Sequence, residues 1–278
     1  MKLRHLFKNK FFKIVLVTFL FAGSAVALSG CGKQSANTVK VGIVGSDPKK
    51  IWDPLKNQLK KQGVHVKLVT FSDYTQPNNA LRFNEINANE FQTKQYLDNY
   101  NRAHHSKLDP VAKSIISPFS IYSDKVSKIS QLKRGAKIAF PNNAVDEGRA
   151  LHALSEAGLI KYKHVQFPTP KDITSNRKHL KFETLDAPQV PRALKDVDAA
   201  LIDGNFALDA HLSPSHIIYH EKLSKFDKPY VNYIVINRSN NHKKAIKKII
   251  RAYHSKQNQK RIQKEFKGYD IPAWNLKL

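Results

Sequence analysis

The sequence predicts an α/β fold with mainly parallel strands, and three observations carry that prediction. Short β-branched runs alternate with helical stretches along the chain, the pattern of strands joined by helical crossovers. Beyond its first thirty residues the chain is 248 residues long, enough for one large domain or two of ordinary size with a real core. No segment repeats at a solenoid period of about 20 to 50 residues. Neither Gly/Ser-rich nor Pro-rich linkers divide the chain, so any passage between two lobes runs through short strands rather than a loose tether.

The elements follow in order. Val39 to Val44 is an apolar strand, followed by a helix with Ile51, Leu55 and Leu59 on one face. Val64 to Phe71 is the next strand, with another helical stretch after it. Further strands are predicted at Lys137 to Phe140, Phe182 to Leu185, Ala199 to Asp203, His216 to Tyr219 and Val231 to Asn237, and a helix at Asp146 to Ala157. A single last helix is predicted from about His242 to Phe266, with Ile246, Ile249, Ile250 and Tyr253 as its apolar stripe. Its other face carries Lys243, Lys244, Lys247, Lys248, Arg251, Lys256, Lys260, Arg261 and Lys264 against one acid, Glu265, and reads as a solvated basic face.

The start of the chain is of another kind. Lys2, Arg4, Lys8, Lys10 and Lys13 precede an apolar run from Ile14 to Leu28, which ends in Leu28-Ser29-Gly30-Cys31. A basic front, an apolar middle and small residues at the exit make a signal peptide. The run is 15 residues long, short of the roughly 20 that span a bilayer. Leu28-Ser29-Gly30-Cys31 resembles the bacterial lipoprotein signal, in which the cysteine receives a diacylglycerol and becomes the first mature residue. Cys31 is the one cysteine of the chain, so no internal disulfide competes for it. The expected location is the outer face of the cell membrane, held by lipid; Gly32 to Thr38 is polar and short and suits a tether.

The formal net charge is +25, and subtracting the five basic residues of the signal, which has no acid, leaves +20. Phosphate neutralisation would permit nucleic-acid binding, yet export, the spread of the charge along the chain and the lack of any recognition motif argue against it. Solubility and attraction to anionic lipids and wall polymers account for the charge. Of the twelve histidines the densest group is His211, His216 and His220 with Glu221. On one strand His216 and His220 stand about 13 Å apart, too far to share an ion, so no metal is expected. Neither G-x-S-x-G nor H-E-x-x-H occurs, and no serine is marked as activated. No enzyme, and no cofactor, is expected.

Six ordered stretches resemble the NlpA/MetQ family of methionine-binding lipoproteins. They are Phe71-Ser72-Asp73-Tyr74; Asn87 to Gln92 with Tyr96-Leu97-Asp98; Pro141-Asn142 with Gly148-Arg149-Ala150-Leu151; Ala187-Pro188-Gln189 with Pro191-Arg192; Ala200 to Ala207; and Pro229-Tyr230-Val231-Asn232. The resemblance runs from about Val39 to the last helix. It implies a two-lobed periplasmic-binding-protein-like fold of type II with the ligand in the interlobe cleft. Residues 1–30 are then the signal, 31–38 the lipidated tether, 39–118 plus 225–278 the first lobe and 119–224 the second. It also implies an amino-acid ligand, L-methionine first, and a permease and ATPase complex as partners. Another amino acid or a methionine-containing dipeptide is the near alternative, and a basic cell-surface adhesin is the alternative of a different class.

A free amino acid needs a planar cation, oxygen acceptors and a matching wall. The resemblance puts Arg149 on the ligand carboxylate, Tyr74, Phe91 and Tyr96 around its side chain, and Asn232 on its backbone. Thr93, Asp146, Asp203 and Asn205 complete the implied site. Three of these depart from the family pattern, which usually has histidine at Thr93 and asparagine at Asp146 and Asp203. The two aspartates add negative charge where an ammonium is expected.

Overall fold

The computed structural model describes residues 37–266 and 268–278; the signal, Cys31 and the tether through residue 36 lie outside the described residues. The chain builds two sheet-containing lobes. In the first, β1 (Thr38–Val44) and β2 (His65–Phe71) lie parallel, and β3 (Ala88–Thr93) runs parallel to β1 on its other side. β4 (Leu108–Lys113) forms one edge, and a strand from late in the chain pairs antiparallel to both β3 and β4. After β5 (Ile115–Ile116) the second lobe begins with β6 (Ser120–Tyr122) and β7 (Lys137–Pro141). A small pair, β8 (Lys161–Tyr162) and β9 (Ile173–Ser175), stands apart from it. β10 (Lys181–Leu185), β11 (Ala199–Ile202) and β12 (Ile217–His220) complete the second sheet, in the order β10-β7-β11-β6-β12. The chain then returns, and β13 (Asn232–Asn237) enters the first sheet, whose order is β2-β1-β3-β13-β4; β14 (Ile271–Pro272) pairs with β5.

Helices cover the sheets because apolar residues fall on one side of each. α1 (Lys49–Lys60) buries Ile51, Trp52, Leu55 and Leu59, a stripe at helical spacing. It packs with α7 (Lys243–Tyr253) and α8 (Lys256–Phe266) over one face of the first sheet, in a core with Val39, Val41 and Ile43. α2 (Gln76–Arg82) and α3 (Lys94–Ala103) contribute Leu81 and Leu97 to a core on the other face. With helices on both faces, β1 is buried along nearly its whole length. In the second lobe α4 (Ala144–Glu156) packs on β7 through Ala150, Leu151 and Leu154, while α5 (Val190–Ala193) and α6 (Gly204–Asp209) pack with β11.

Four sequence expectations change. The strands, expected to be mainly parallel, are mixed, with β1 pairing parallel to β2 and β3, β7 parallel to β10 and β11, and β6, β12 and β13 pairing antiparallel to their neighbours. The single helix over 242–266 is two helices, because the chain stops to satisfy its own polar groups at 254–258. The His254 ring bonds the Lys113 carbonyl, Ser255 Oγ accepts from Asn258 N, and Asn258 Nδ2 donates to the Tyr253 carbonyl. Such side-chain bonds end one helix and cap the next. The segment after Phe71, read as helical, also contains β3, a central strand with the polar sequence Ala-Asn-Glu-Phe-Gln-Thr. Its buried amides find partners: Asn78 and Gln92 bond each other reciprocally, and Asn89 Nδ2 donates to Asn78 Oδ1. β4 was hidden by Pro110, which an edge strand tolerates.

Candidate functional site

The nine residues singled out in the sequence all line one cavity between the two lobes, together with Gln92, Ser117, Gly204 and Tyr230. The free space left among them is small, about 50 Å³. The first lobe brings them by simple means. Tyr74 follows the end of β2, Phe91 and Thr93 are on β3, and Asn232 is Thr93's cross-strand partner at the start of β13. Thr93 also starts α3, its Oγ accepting from Tyr96 N at 3.1 Å. One residue thus ends the strand, caps the helix and faces the cavity.

Tyr74, Phe91 and Tyr96 form an aromatic wall with ring centroids 5.8 to 6.2 Å apart, the spacing of tilted and edge-on pairs. Tyr96 OH donates to the Tyr74 carbonyl at 3.1 Å, and Tyr74 OH reaches across to the second lobe, donating to Asn205 Oδ1 at 2.6 Å. Burial, first, and the nearby carboxylates raise both phenols well above their ordinary range, so they act as neutral hydroxyls.

The second lobe supplies the charges. Asn143 caps α4, accepting from Asp146 N at 3.0 Å and donating from Nδ2 to Asp146 Oδ2 at 2.6 Å. One turn on, Arg149 enters the buried floor. The resemblance puts this guanidinium on a ligand carboxylate, and the structure gives it a carboxylate partner within the protein. Nε and Nη2 of Arg149 donate to Glu221 Oε1 and Oε2 at 3.3 and 2.5 Å, and Nη2 also donates to the Ser117 carbonyl at 2.9 Å. Both side chains are almost sealed from solvent, 4% and 0% exposed. The guanidinium lies between the rings of Tyr230, 4.5 Å from its centroid, and Phe119, at 5.3 Å. Burial alone would lower the Arg149 pKa, but Glu221 overrides it and holds the cation charged. Nη1 takes part in neither the Glu221 nor the Ser117 contact.

Asp203 precedes α6, and its Oδ2 is buried without a hydrogen-bond partner, as is Asn205 Nδ2. Burial, then the Asp146 carboxylate, push the Asp203 pKa well above the ordinary range, with Arg149 pulling the other way. Burial raises Asp146 as well, opposed by Asn143 and Arg149. Two carboxylates in one enclosed space resist ionising together, and a cationic group between them would relieve both.

A second contact between the lobes closes the rim. Ser46 N and Oγ donate to Asp209 Oδ1 at 3.0 and 2.6 Å. Gly45, at φ +77°, sits so close that a Cβ there would collide with the Asp209 carboxylate, so any side chain at this position would be strained and would have to displace Asp209.

The family model described as NlpA lipoprotein matches residues 39–274. The chain belongs to the NlpA lipoprotein family. A curated relative, the D-methionine-binding lipoprotein MetQ of Salmonella typhi, is 38% identical over 269 residues, covering 92% of this chain and 98% of its own. The substrate-binding protein of a methionine transporter from Streptococcus pneumoniae has a TM-score of 0.82 at 34% identity, covering 86% of this chain and 96% of that one. A nutrient-binding protein from Burkholderia cenocepacia bound to methionine has a TM-score of 0.80 at 38% identity, covering 84% and 99%.

Of this NlpA-family cavity's lining, Gln92, Ser117, Gly204 and Tyr230 were not singled out as site residues in the sequence, and neither was Glu221, which holds Arg149. Ser117 lies between β5 and β6 with no motif around it. Glu221 had been noticed only beside His220, which instead bonds Ser120 Oγ. No local signal marks the pair, since Asp146 and Glu147 stand nearer to Arg149 in sequence than Glu221, 72 residues away. Among the described residues no group of His, Cys, Asp and Glu is placed to hold a metal ion, and no helix is long and apolar enough to cross a membrane.

Proposed function

We propose that the chain is the solute-binding lipoprotein of an ABC importer, taking up an amino acid of the methionine type and handing it to a permease. The observation that supports this best is the cavity itself, with a clamped guanidinium on one side, two carboxylates facing it, and an aromatic wall beside them. Arg149 Nη1 and its positive field receive the ligand carboxylate. Asp203 and Asp146 receive the ammonium, Asn205 Nδ2 and Asn232 bond the ligand backbone, and Thr93 offers a hydroxyl. Tyr74, Phe91 and Tyr96 enclose the side chain, where a thioether sulfur is favoured at about 5 Å from a ring. The process is binding and release without covalent chemistry, and the lobes, divided near residues 118 and 224, close on the ligand by a hinge. Cys31 carries the diacylglycerol that holds the protein to the outer face of the membrane, where a permease and ATPase complex receives the ligand.

Titration calorimetry of the chain from Gly32 onward, refolded to strip retained ligand, tests the reading. Tight one-to-one binding of L- or D-methionine is the expected result. Heat from another amino acid or a methionyl dipeptide, with silence from both methionine enantiomers, would keep the receptor and reassign its cargo, an outcome toward which the added negative charge of Asp146 and Asp203 would point.

A further inference from the structure

Away from the cavity, the strongest chemical feature is the charge on the helices that cover the first sheet. All five basic residues of α7, Lys243, Lys244, Lys247, Lys248 and Arg251, are exposed, and that helix has no acid. α8 adds exposed Lys256, Lys260 and Lys264 against Glu265, and α1 ends on exposed Lys60 and Lys61. The three helices pack on one another, so these charges form one continuous face. Its apolar side chains are spent inward: Ile246, Ile249 and Tyr253 are buried. The face therefore has nothing to insert into a bilayer and can act only through charge.

The position of this face is as informative as its charge. The Asn37 carbonyl, where the described chain begins, accepts from His65 N at 2.9 Å. Lys248 Nζ donates to the Gln62 carbonyl at 2.7 Å. The chain entrance, the turn from α1 to β2 and the α7 lysines thus share one edge of the lobe. The cavity lies at the other end of β1 and β2, which at seven residues each puts it about 20 Å away.

We propose that this basic edge rests on the anionic phospholipid headgroups of the membrane to which Cys31 anchors the chain. The proposal rests on the lipidation of Cys31. Five residues separate Cys31 from Asn37, and covalent geometry limits those six Cα–Cα steps to about 20 Å. The tether therefore keeps the edge within a few screening lengths of the headgroups, the Debye length being about 8 Å at physiological salt. Attraction to an anionic leaflet adds over each basic residue near it, and the covalent constraint favours the lipid surface over a wall polymer, which has no fixed distance from this edge.

The test uses the chain from residue 31 with Cys31→Ser, which carries no acyl chain and retains the whole core of residues 37–278. It is sedimented with phosphatidylcholine vesicles containing about a third phosphatidylglycerol and with pure phosphatidylcholine. Binding to the anionic vesicles alone, weakened by raised salt, is expected. Reversing Lys60, Lys61, Lys244 and Lys247 to Glu should weaken it at least about tenfold. Reversing four exposed lysines of the second lobe, Lys133, Lys161, Lys181 and Lys195, changes net charge equally and should cost much less. Equal losses in the two variants would show general charge attraction and overturn the proposal, as would binding to purified anionic wall polymer with none to the vesicles. Methionine titration on the same samples reports folding and the receptor reading separately. Fatty-acid labelling of the full chain that missed Cys31 would remove the anchor and, with it, the reason for choosing lipid.

Discussion

Arg149 neutralises the buried Glu221 and is proposed to meet the ligand, and replacing it with alanine, then with a double variant, separates the two. Glu221, 0% exposed, would keep its bond from Phe119 N at 2.9 Å but lose its counter-ion. Removing one member of a buried ion pair costs about 3–5 kcal/mol, because a charge is left without compensation. Against the 5–15 kcal/mol that typically separates a folded domain from its unfolded chain, that is a large part of the total. At about 2–4 °C per kcal/mol for a chain of this size, the melting temperature of Arg149→Ala should fall by about 6–20 °C. The double variant Arg149→Met with Glu221→Gln removes both charges, keeps an acceptor for Phe119 N and fills similar volume, so it should recover most of that loss. Calorimetric melting gives the stability, and methionine titration of the refolded double variant gives the affinity, which should remain at least about tenfold below the parent through loss of a charge-assisted bond. A melting temperature of Arg149→Ala within 2 °C or so of the parent would refute the burial reasoning. Parent-like affinity in the double variant would take Arg149 off the ligand.

Three further outcomes are expected. Methionine affinity should rise with pH through the elevated pKa of Asp203, because the ligand ammonium favours the ionised carboxylate, which burial and Asp146 oppose; calorimetry in buffers of different ionisation enthalpy should detect proton release, and Asp203→Asn should reduce it. Burial raises the Asp270 pKa from 3.8 to about 7, against the Ser117 hydroxyl that donates to it at 2.5 Å. A carboxyl raised on folding is protonated in the native state and ionised in the unfolded one between those values, so stability should fall as pH rises from about 4 to 7. Asp270→Asn should flatten that slope in urea melts at several pH values, by on the order of 3–4 kcal/mol across the window. Asn78→Ala should destabilise by about 1–3 kcal/mol in the same melts, because Gln92 and Asn89 would each lose a buried amide partner.

The sequence was legible where periodicity and packing agree. The stripe Ile51, Leu55, Leu59 and the apolar run of β1 announced themselves, since each buries in one direction with the repeat of its own secondary structure. β3 did not, because a strand of Asn, Glu and Gln looks like surface until Asn78 arrives from a helix to satisfy it. The break at His254 was equally silent, as it depends on a carbonyl 141 residues away, at Lys113. The cavity residues were found through family resemblance, and nothing local distinguishes Tyr74 or Asn232 from ordinary packing. Glu221 belongs to the same class of long-range fact, 72 residues from the arginine it neutralises.

The clasp between Ser46 and Asp209 has its own consequence for the timing of transport. Its bonds join the lobes at the rim, apart from the aromatic wall, and they form only when Gly45 and Asp209 meet. If the lobes open by the proposed hinge, these bonds break whichever solute is inside, and they would lengthen residence time without choosing the cargo. On the proposed function, selection would lie with the wall and charges of the cavity, and residence time with the rim. A transporter that pulls Asp209 away from Gly45 could therefore release the solute without touching any group that recognises it.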